Sequence, residues 1–527
     1  MVRLRYLSTT SPSKGAVIAF LLAYVSVLMF LILLGHYHIF YLIGWTILAL
    51  IFSLFFIPLF KSENSDFPWF VERSDKVLRL IIFLMAFSLR AIFLLDIPSE
   101  ENGILSEDVL KYSNKSRRIK NGKLPYRDFD TAYGPLHNYL IGIASFLATK
   151  GPDSKPYVWD YDLAVVLMFK LLACICDSVS SVLVFEIGRL WNLTRDRATL
   201  CAFGYASNPL SILEFGWSGH NDAIVVMLVL LSLYTYLRAD ERSSAILLAA
   251  ATAIKYWPVF YMLLFVGNLL KKENGNYRAA IFFLIYVTTG ILISLPFLLL
   301  APVEFALGVI SLAEGGGNTY VRLSFLGLAT EIVMQGFLRP EDEATRNLVK
   351  AFFSIIFYLG VLAFIAAFAL TQRYPHRLSL TKLFKSIHVI VIFLLGLWGL
   401  LFVIYAIIDG SPLIIFGFAM FSLSIWLLKR ERESMTNDPP FPNNELGTTS
   451  KNRSTPGDPI VEAIMWTGFL LVLVNATYHA WYYTWLLPVF FIVVGKKPSY
   501  ADLVYLIFLH QPTSYVTTKI YYRSFWP

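Results

Sequence analysis

Residues 96–133 read DIPSEENGILSEDVLKYSNKSRRIKNGKLPYRDFDTAY, and this stretch decides how the rest of the chain is read. It is dense in acids, bases, tyrosines and turn residues. On both sides of it the sequence is dominated by apolar runs long enough to cross a bilayer, whose ~30 Å core takes about 20 helical residues. A polar insert placed directly after a spanning helix is where chemistry is expected. What it does depends on which face it occupies and what meets it there.

The chain of 527 residues is 57% hydrophobic and 15% charged, with a mean hydropathy of +0.61. Soluble domains carry roughly 25% charged residues. The 43 Phe, 29 Tyr and 12 Trp can supply interfacial aromatic belts. A formal charge of +8 fits basic anchoring loops in a membrane protein and does not call for nucleic acid. Cys174, Cys176 and Cys201 lie in or beside apolar runs, with neither a disulfide framework nor metal spacing. The basic start MVRLRYLSTTSPSK lacks an obvious small-residue cleavage site and reads as leading into a retained first span.

Apolar runs fall near 15–35, 39–60, 77–95, 162–190, 196–213, 222–238, 243–270, 278–301, 350–371, 386–408, 411–428, 459–475 and 482–495. Lys255-Tyr256-Trp257-Pro258 breaks the run at 243–270 into two short helices, because proline removes a backbone donor. Residues 135–149 are apolar but short, which suits an interfacial or re-entrant helix. The basic loops at 1–14, 61–76, 189–197, 238–242, 271–278, 372–385, 429–458 and 496–497 all fall on one face under this alternation. That face is cytoplasmic by the positive-inside rule. The other face holds 96–161, 214–221, the hairpin tip at 255–257, 302–349, 409–411 and 476–481.

The expected architecture is therefore an all-α polytopic bundle. It has about 12–14 membrane-embedded helices and an outer-face loop carrying short amphipathic helices. Its parts are a leading hairpin (1–60), a core (61–301) with outer loop 96–161, variable helices (302–428) with outer loop 302–349, a linker rich in Pro, Asn and Ser (429–458), and a final pair with a tail (459–527).

Topology gathers the candidates on the outer face. Glu107 and Asp108 open a helix-like stretch; Glu107 suits a helix dipole and stands four before Lys111, whereas Asp108 shares a face with Tyr112. A partly desolvated carboxylate of this kind can act as a general base. Arg127 and Asp128 read as an internal ion pair. Asn208-Pro209-Leu210 ends one helix, and Gly219-His220-Asn221-Asp222 opens the next, with capping and function both open readings. Lys255, deep in an apolar run, should meet a carboxylate or a phosphate. Arg322, beside a glycine loop, could grip a phosphate. His479 stands in an aromatic patch. Lys170 and Asp177 inside the membrane read as structural ion-pair members.

These pieces, in this order, resemble the GT-C superfamily of integral-membrane glycosyltransferases, which use polyprenyl-phosphate-linked sugars. The similarity is carried by Glu107-Asp108 with Tyr112, by GKLPYRDF at 122–129, by Tyr133-Gly134-Pro135-Leu136, by Asn208-Pro209-Leu210 and Gly219-His220-Asn221-Asp222, by Lys255 through Pro258, and by His479 with Trp481-Tyr482. Gly134 stands where that superfamily often has a second proline, and Asn221 replaces an aromatic residue.

The resemblance implies an inverting transfer of a sugar from a dolichyl- or polyprenyl-phosphate donor to a glycan, lipid or protein acceptor. Mannose leads; glucose and arabinofuranose stay open. The reaction would run at the luminal or extracytoplasmic face of the endoplasmic reticulum or plasma membrane. Asp108 would be the base, with Glu107 second. Lys255, Arg322, His220 and His479, together with Asp222, Tyr126 and Arg127, would bind substrate and phosphate. No cofactor or metal site is expected, although a divalent metal stays open. A lipid-linked sugar flippase is the main alternative. It would spread polar residues through the spans and show internal symmetry. A non-catalytic membrane scaffold would not need Asp108 and Lys255 on one face.

Overall fold

The computed structural model describes residues 74–95, 108–129, 131, 133–149, 161–313, 358–372, 379–408, 418, 421–429, 458–474, 484–497 and 500. The leading hairpin, the loop beyond residue 313, linker residues 430–457 and the tail beyond residue 500 lie outside them, as do Glu107, Arg322 and His479.

The described residues form helices α1 (Asp75–Ala91), α2 (Asp108–Lys120), α3 (Pro135–Ala144), α4 (Leu163–Leu190), α5 (Arg195–Ala206), α6 (Asp222–Leu237), α7 (Glu241–Thr252), α8 (Val259–Leu269), α9 (Gly275–Leu300), α10 (Pro302–Ala313), α11 (Tyr358–Gln372), α12 (Leu380–Ile408), α13 (Ile460–Val474) and α14 (Leu487–Lys496). The fold is all-α, with an isolated bridge between Pro125 and Phe129. Among the described residues three helices are long and apolar enough to cross a membrane: α4, α9 and the Lys382–Leu401 part of α12. They fall on the expected runs at 162–190, 278–301 and 386–408.

Among the described residues, other apolar helices are shorter than a span. The run at 196–213 is not one helix. α5 has 12 residues, or ~18 Å at 1.5 Å per residue, against a core of ~30 Å. It stops at Ser207. Asn208 then accepts hydrogen bonds from the Leu210 and Ser211 N–H groups, and Pro209 starts a new turn. A widened π-helical segment, Ile212–Trp217, follows. The run at 243–270 breaks as expected, at residues 253–258 between α7 and α8.

α4 is the organising helix. It packs against α1, α5 and α6, while α7 lies between α6 and α9, and α14 covers α5. Charged side chains also stitch this bundle together internally. Arg90 of α1 is sealed and pairs through Nε with Asp177 of α4, which also accepts the Tyr205 hydroxyl. Arg90 also donates to the Ala86 carbonyl (2.9 Å), the Ala206 carbonyl (2.7 Å) and Ser211 Oγ (3.0 Å). Lys170 donates to the Phe93 carbonyl at 2.5 Å. Burying a charge costs several kcal/mol unless it is paired and hydrogen-bonded. These bonds place the π-helical segment against α1 and α4.

Gly134 explains its own departure from the superfamily pattern. Its N–H donates to the Ile254 carbonyl at 3.0 Å, and Leu136 donates to the Ala253 carbonyl at 2.9 Å. A Cβ at Gly134 would come within 2.2 Å of the Ala253 oxygen. Proline there would lose the donor as well. The start of α3 is thus fastened to the break that carries Lys255.

Candidate active site

Four charged side chains from distant parts of the sequence form one continuous chain. Asp108 is the first residue of α2, and Asp222 is the first of α6. A helix N-terminus favours a carboxylate. His220 lies in the turn before α6. Its Nε2 is 2.8 Å from Asp108 Oδ2, and its Nδ1 is 2.7 Å from Asp222 Oδ2. Lys255 Nζ lies 2.8 Å from Asp222. The order is Asp108, His220, Asp222, Lys255, with signs alternating when the imidazole is protonated.

The turn is shaped by Gly219, at φ +67°, where a Cβ would meet Lys170 Cγ at 2.7 Å. Asn221 does not cap α6. Its amide instead donates to His137 Nδ1 at 3.2 Å. Beside it Tyr112, Tyr133, His137 and Phe169 form an aromatic wall, with Tyr133 and His137 ring centres 4.4 Å apart.

Exposure separates the middle of the chain from its ends. The His220 and Asp222 side chains are 0% exposed, whereas Asp108 keeps 20% and Lys255 keeps 18%. The accessible ends of this chain are therefore an anion and a cation.

The environment sets the protonation states. Burial opposes the imidazolium of His220, but Asp222 and Asp108 outweigh it and hold its pKa at about 9. Burial likewise pushes the Asp108 carboxyl up. The hydrogen bond and charge of His220 outweigh that, and Asp108 ends well below the usual carboxylate range. Lys111, 3.7 Å away, adds to this. Burial, with Lys115 and Lys255 nearby, keeps His137 well below its usual range and hence neutral.

The candidates named from sequence separate into groups. Asp108, His220, Asp222 and Lys255 come together. Lys255 meets an anion, as expected of it, and that anion is the carboxylate of Asp222. His220 sits in the sealed middle of the chain. Arg127 is exposed and paired with Asp128 at 2.9 Å. Tyr126 packs between Phe297 and Phe305 and donates its hydroxyl to the Tyr133 carbonyl at 2.6 Å. Neither belongs to the four-residue chain.

Two residues escaped the sequence reading. His137 stands in the apolar stretch PLHNYLIG, and its Nε2 has no hydrogen-bond partner among the described residues. Glu214 lies in ILEFGW, buried, with a pKa pushed up to about 8, mainly by burial. A lone ionisable residue within an apolar run is the signal that would have found both. Among the described residues, no group of three or more His, Cys, Asp or Glu is arranged to hold a metal ion.

Fold and site together define an all-α membrane protein with a charged cluster gathered at its helix ends. Residues 112–272 match the family described as alpha-(1->6)-mannopyranosyltransferase, N-terminal domain. GPI mannosyltransferase 1 of Dictyostelium discoideum is 22% identical over 228 residues, covering 41% of this chain and 47% of that protein. The chain thus spans about half the length of the curated relative it matches. These findings support a place for the chain in the GT-C-like mannosyltransferase superfamily. His220, Asp222 and Lys255 fall within the matched residues, and Asp108 stands four positions before them.

Proposed function

We propose that the chain is a membrane mannosyltransferase. It moves a mannosyl group from a polyprenyl- or dolichyl-phosphate to an acceptor hydroxyl at the luminal or extracytoplasmic face. The observation that carries this reading is the pair of accessible, oppositely charged ends on one sealed chain. The reaction needs a base for the acceptor and a cation for the departing phosphate. The acceptor oxygen bonds to the anomeric carbon, and its proton passes to Asp108. The bond from that carbon to the phosphate oxygen breaks, and its electron pair leaves with the lipid phosphate beside Lys255.

A carboxylate held ionised is ready to accept a proton. The acceptor hydroxyl becomes acidic only as its new bond forms, so a weak base suffices. His220 and Asp222 are positioning residues in this scheme. They fix Asp108 and Lys255 relative to each other and keep the four charges balanced.

The test is transfer of labelled mannose from purified polyprenyl-phosphate mannose to a panel of short mannosides and glycolipids, using the full chain in detergent. Asp108→Asn should lower transfer by about 10²–10⁴-fold, the usual contribution of a general base. Activity within a few-fold of wild type would remove Asp108 from the mechanism. Wild-type protein that releases no mannose from any such donor would sink the reading.

A further inference from the structure

We propose that Glu214 determines sugar specificity: its two carboxyl oxygens are the partners of hydroxyl groups on the pyranose being transferred. The inference rests on the glycosyl-transfer reading above and adds a substrate contact to it.

Glu214 is carried on the π-helical segment Ile212–Trp217, and its carbonyl accepts the His220 N–H at 3.1 Å. The residue is fully buried, and neither Oε1 nor Oε2 has a hydrogen-bond partner among the described residues. That sets it apart from the other buried acids. Asp162 has Arg117, Asp177 has Arg90, Asp222 has His220 and Lys255, and Glu462 has Lys497 and Tyr500. A buried polar group left without a partner costs about 1–3 kcal/mol, so a carboxyl kept in this state calls for a partner that binds there.

The surroundings indicate which kind. The charges that act on the Glu214 carboxyl are those of His220, Asp222, Asp108 and Lys255, the complete four-residue chain. The bond from the His220 N–H to the Glu214 carbonyl holds the residue beside that chain. Ser218 Oγ and Asn221 Oδ1, a few residues on, are also buried without hydrogen-bond partners among the described residues. Burial favours the neutral acid, which offers one O–H donor and retains acceptor capacity. A hydroxyl likewise donates and accepts. A phosphate suits this place poorly, since Asp222 and Asp108 both add negative charge to it, and the accessible cation is Lys255. An uncharged polyol satisfies Glu214 without burying another charge.

The experiment compares polyprenyl-phosphate mannose with its 2-, 3-, 4- and 6-deoxy analogues as donors for wild type, Glu214→Gln and Glu214→Ala. A site built to bond a hydroxyl rejects the analogue lacking it. Wild type should lose about 10–100-fold in kcat/KM on one or two deoxy donors, as expected from about 1–3 kcal/mol per unmet group. The glutamine variant keeps the shape and a neutral donor and acceptor, and should retain that pattern. In the alanine variant transfer of the complete sugar falls, and the penalty for the same deoxy position disappears. Glu214→Asp withdraws the carboxyl by one methylene and must also shrink the penalty, which covers the case in which the alanine variant does not fold. The proposal is overturned if the alanine and aspartate variants keep the wild-type deoxy pattern, or if wild type treats all the deoxy donors alike. Wild-type failure with the complete donor overturns the glycosyl-transfer reading and this inference with it.

Discussion

Two buried charge clusters lie in the same bundle, and they are built to opposite ends. Around Arg90 and Asp177 both side chains are 0% exposed, and each Arg90 nitrogen has a partner. Asp177 takes Tyr205 as well. The cluster is closed on itself and has nothing to offer a ligand. Around His220 and Asp222 the middle is equally sealed, but the chain runs out to Asp108 and Lys255, both partly accessible. Buried polar atoms on Glu214, Ser218 and Asn221 that have no partner among the described residues accompany it. Burial and pairing alone do not mark a functional site. Accessible ends and unmet hydrogen bonds do, because completed networks rigidify a structure while incomplete ones accept another molecule.

Paired substitutions put that contrast at risk most directly. Asp108→Asn should remove about 10²–10⁴-fold of transfer while the protein stays folded with a modestly lowered thermal midpoint, since Asp222 still pairs with His220. Arg90→Met should do the reverse in kind, since it strands a buried carboxylate at a cost of about 3–5 kcal/mol. Its expected signature is a lowered midpoint or a lost fold, with any folded fraction still active. If Arg90→Met were stable and inactive, the division between the two clusters would fail.

A smaller effect comes from pH. The pKa of His220 is raised from 6.5 to about 9 in the folded protein. Its contribution to stability is therefore complete below pH 6.5 and is lost as pH rises through about 9. At 1.36 kcal/mol per unit it amounts to at most about 3 kcal/mol. Thermal midpoints measured across that window should fall for wild type, and this component of the fall should vanish in His220→Gln. Equal slopes for the two proteins would place the imidazole outside the ionic chain.

Lys255→Met tests the cationic end. Asp222 keeps His220 as a partner, so the fold should suffer less than in Arg90→Met. Transfer at limiting donor should fall by about 10–100-fold, the scale of a charge-assisted hydrogen bond. Wild-type turnover there would make Lys255 a counter-ion for Asp222 alone. The smallest effect is expected at Gly134→Ala. Its new methyl would crowd the Ala253 carbonyl, at a cost of about 1–3 kcal/mol. Because that contact fastens α3 to the break at Lys255, donor use should weaken along with stability, as a KM increase measured on the folded variant.

By itself the sequence determined the all-α class, the apolar runs that carry the three long helices among the described residues, the break at Lys255 to Pro258 and the pairing of Arg127 with Asp128. Each depends on local quantities: the length of an apolar run, the missing N–H of a proline, the adjacency of two charges. It also singled out Asp108, His220, Asp222 and Lys255 as residue types that an apolar chain does not keep without a partner. Only the tertiary structure decided the partners. His220 meets Asp108 across 112 positions, and Arg90 meets Asp177 across 87. Asn221, at a capping position, turned to His137, and the carboxyl of Glu214, inside an apolar run, has no hydrogen-bond partner among the described residues. Helix propensity and hydrophobic length act over a few residues along the chain. Which helix ends meet is set by packing between helices, and no local pattern encodes the distance from one helix end to another.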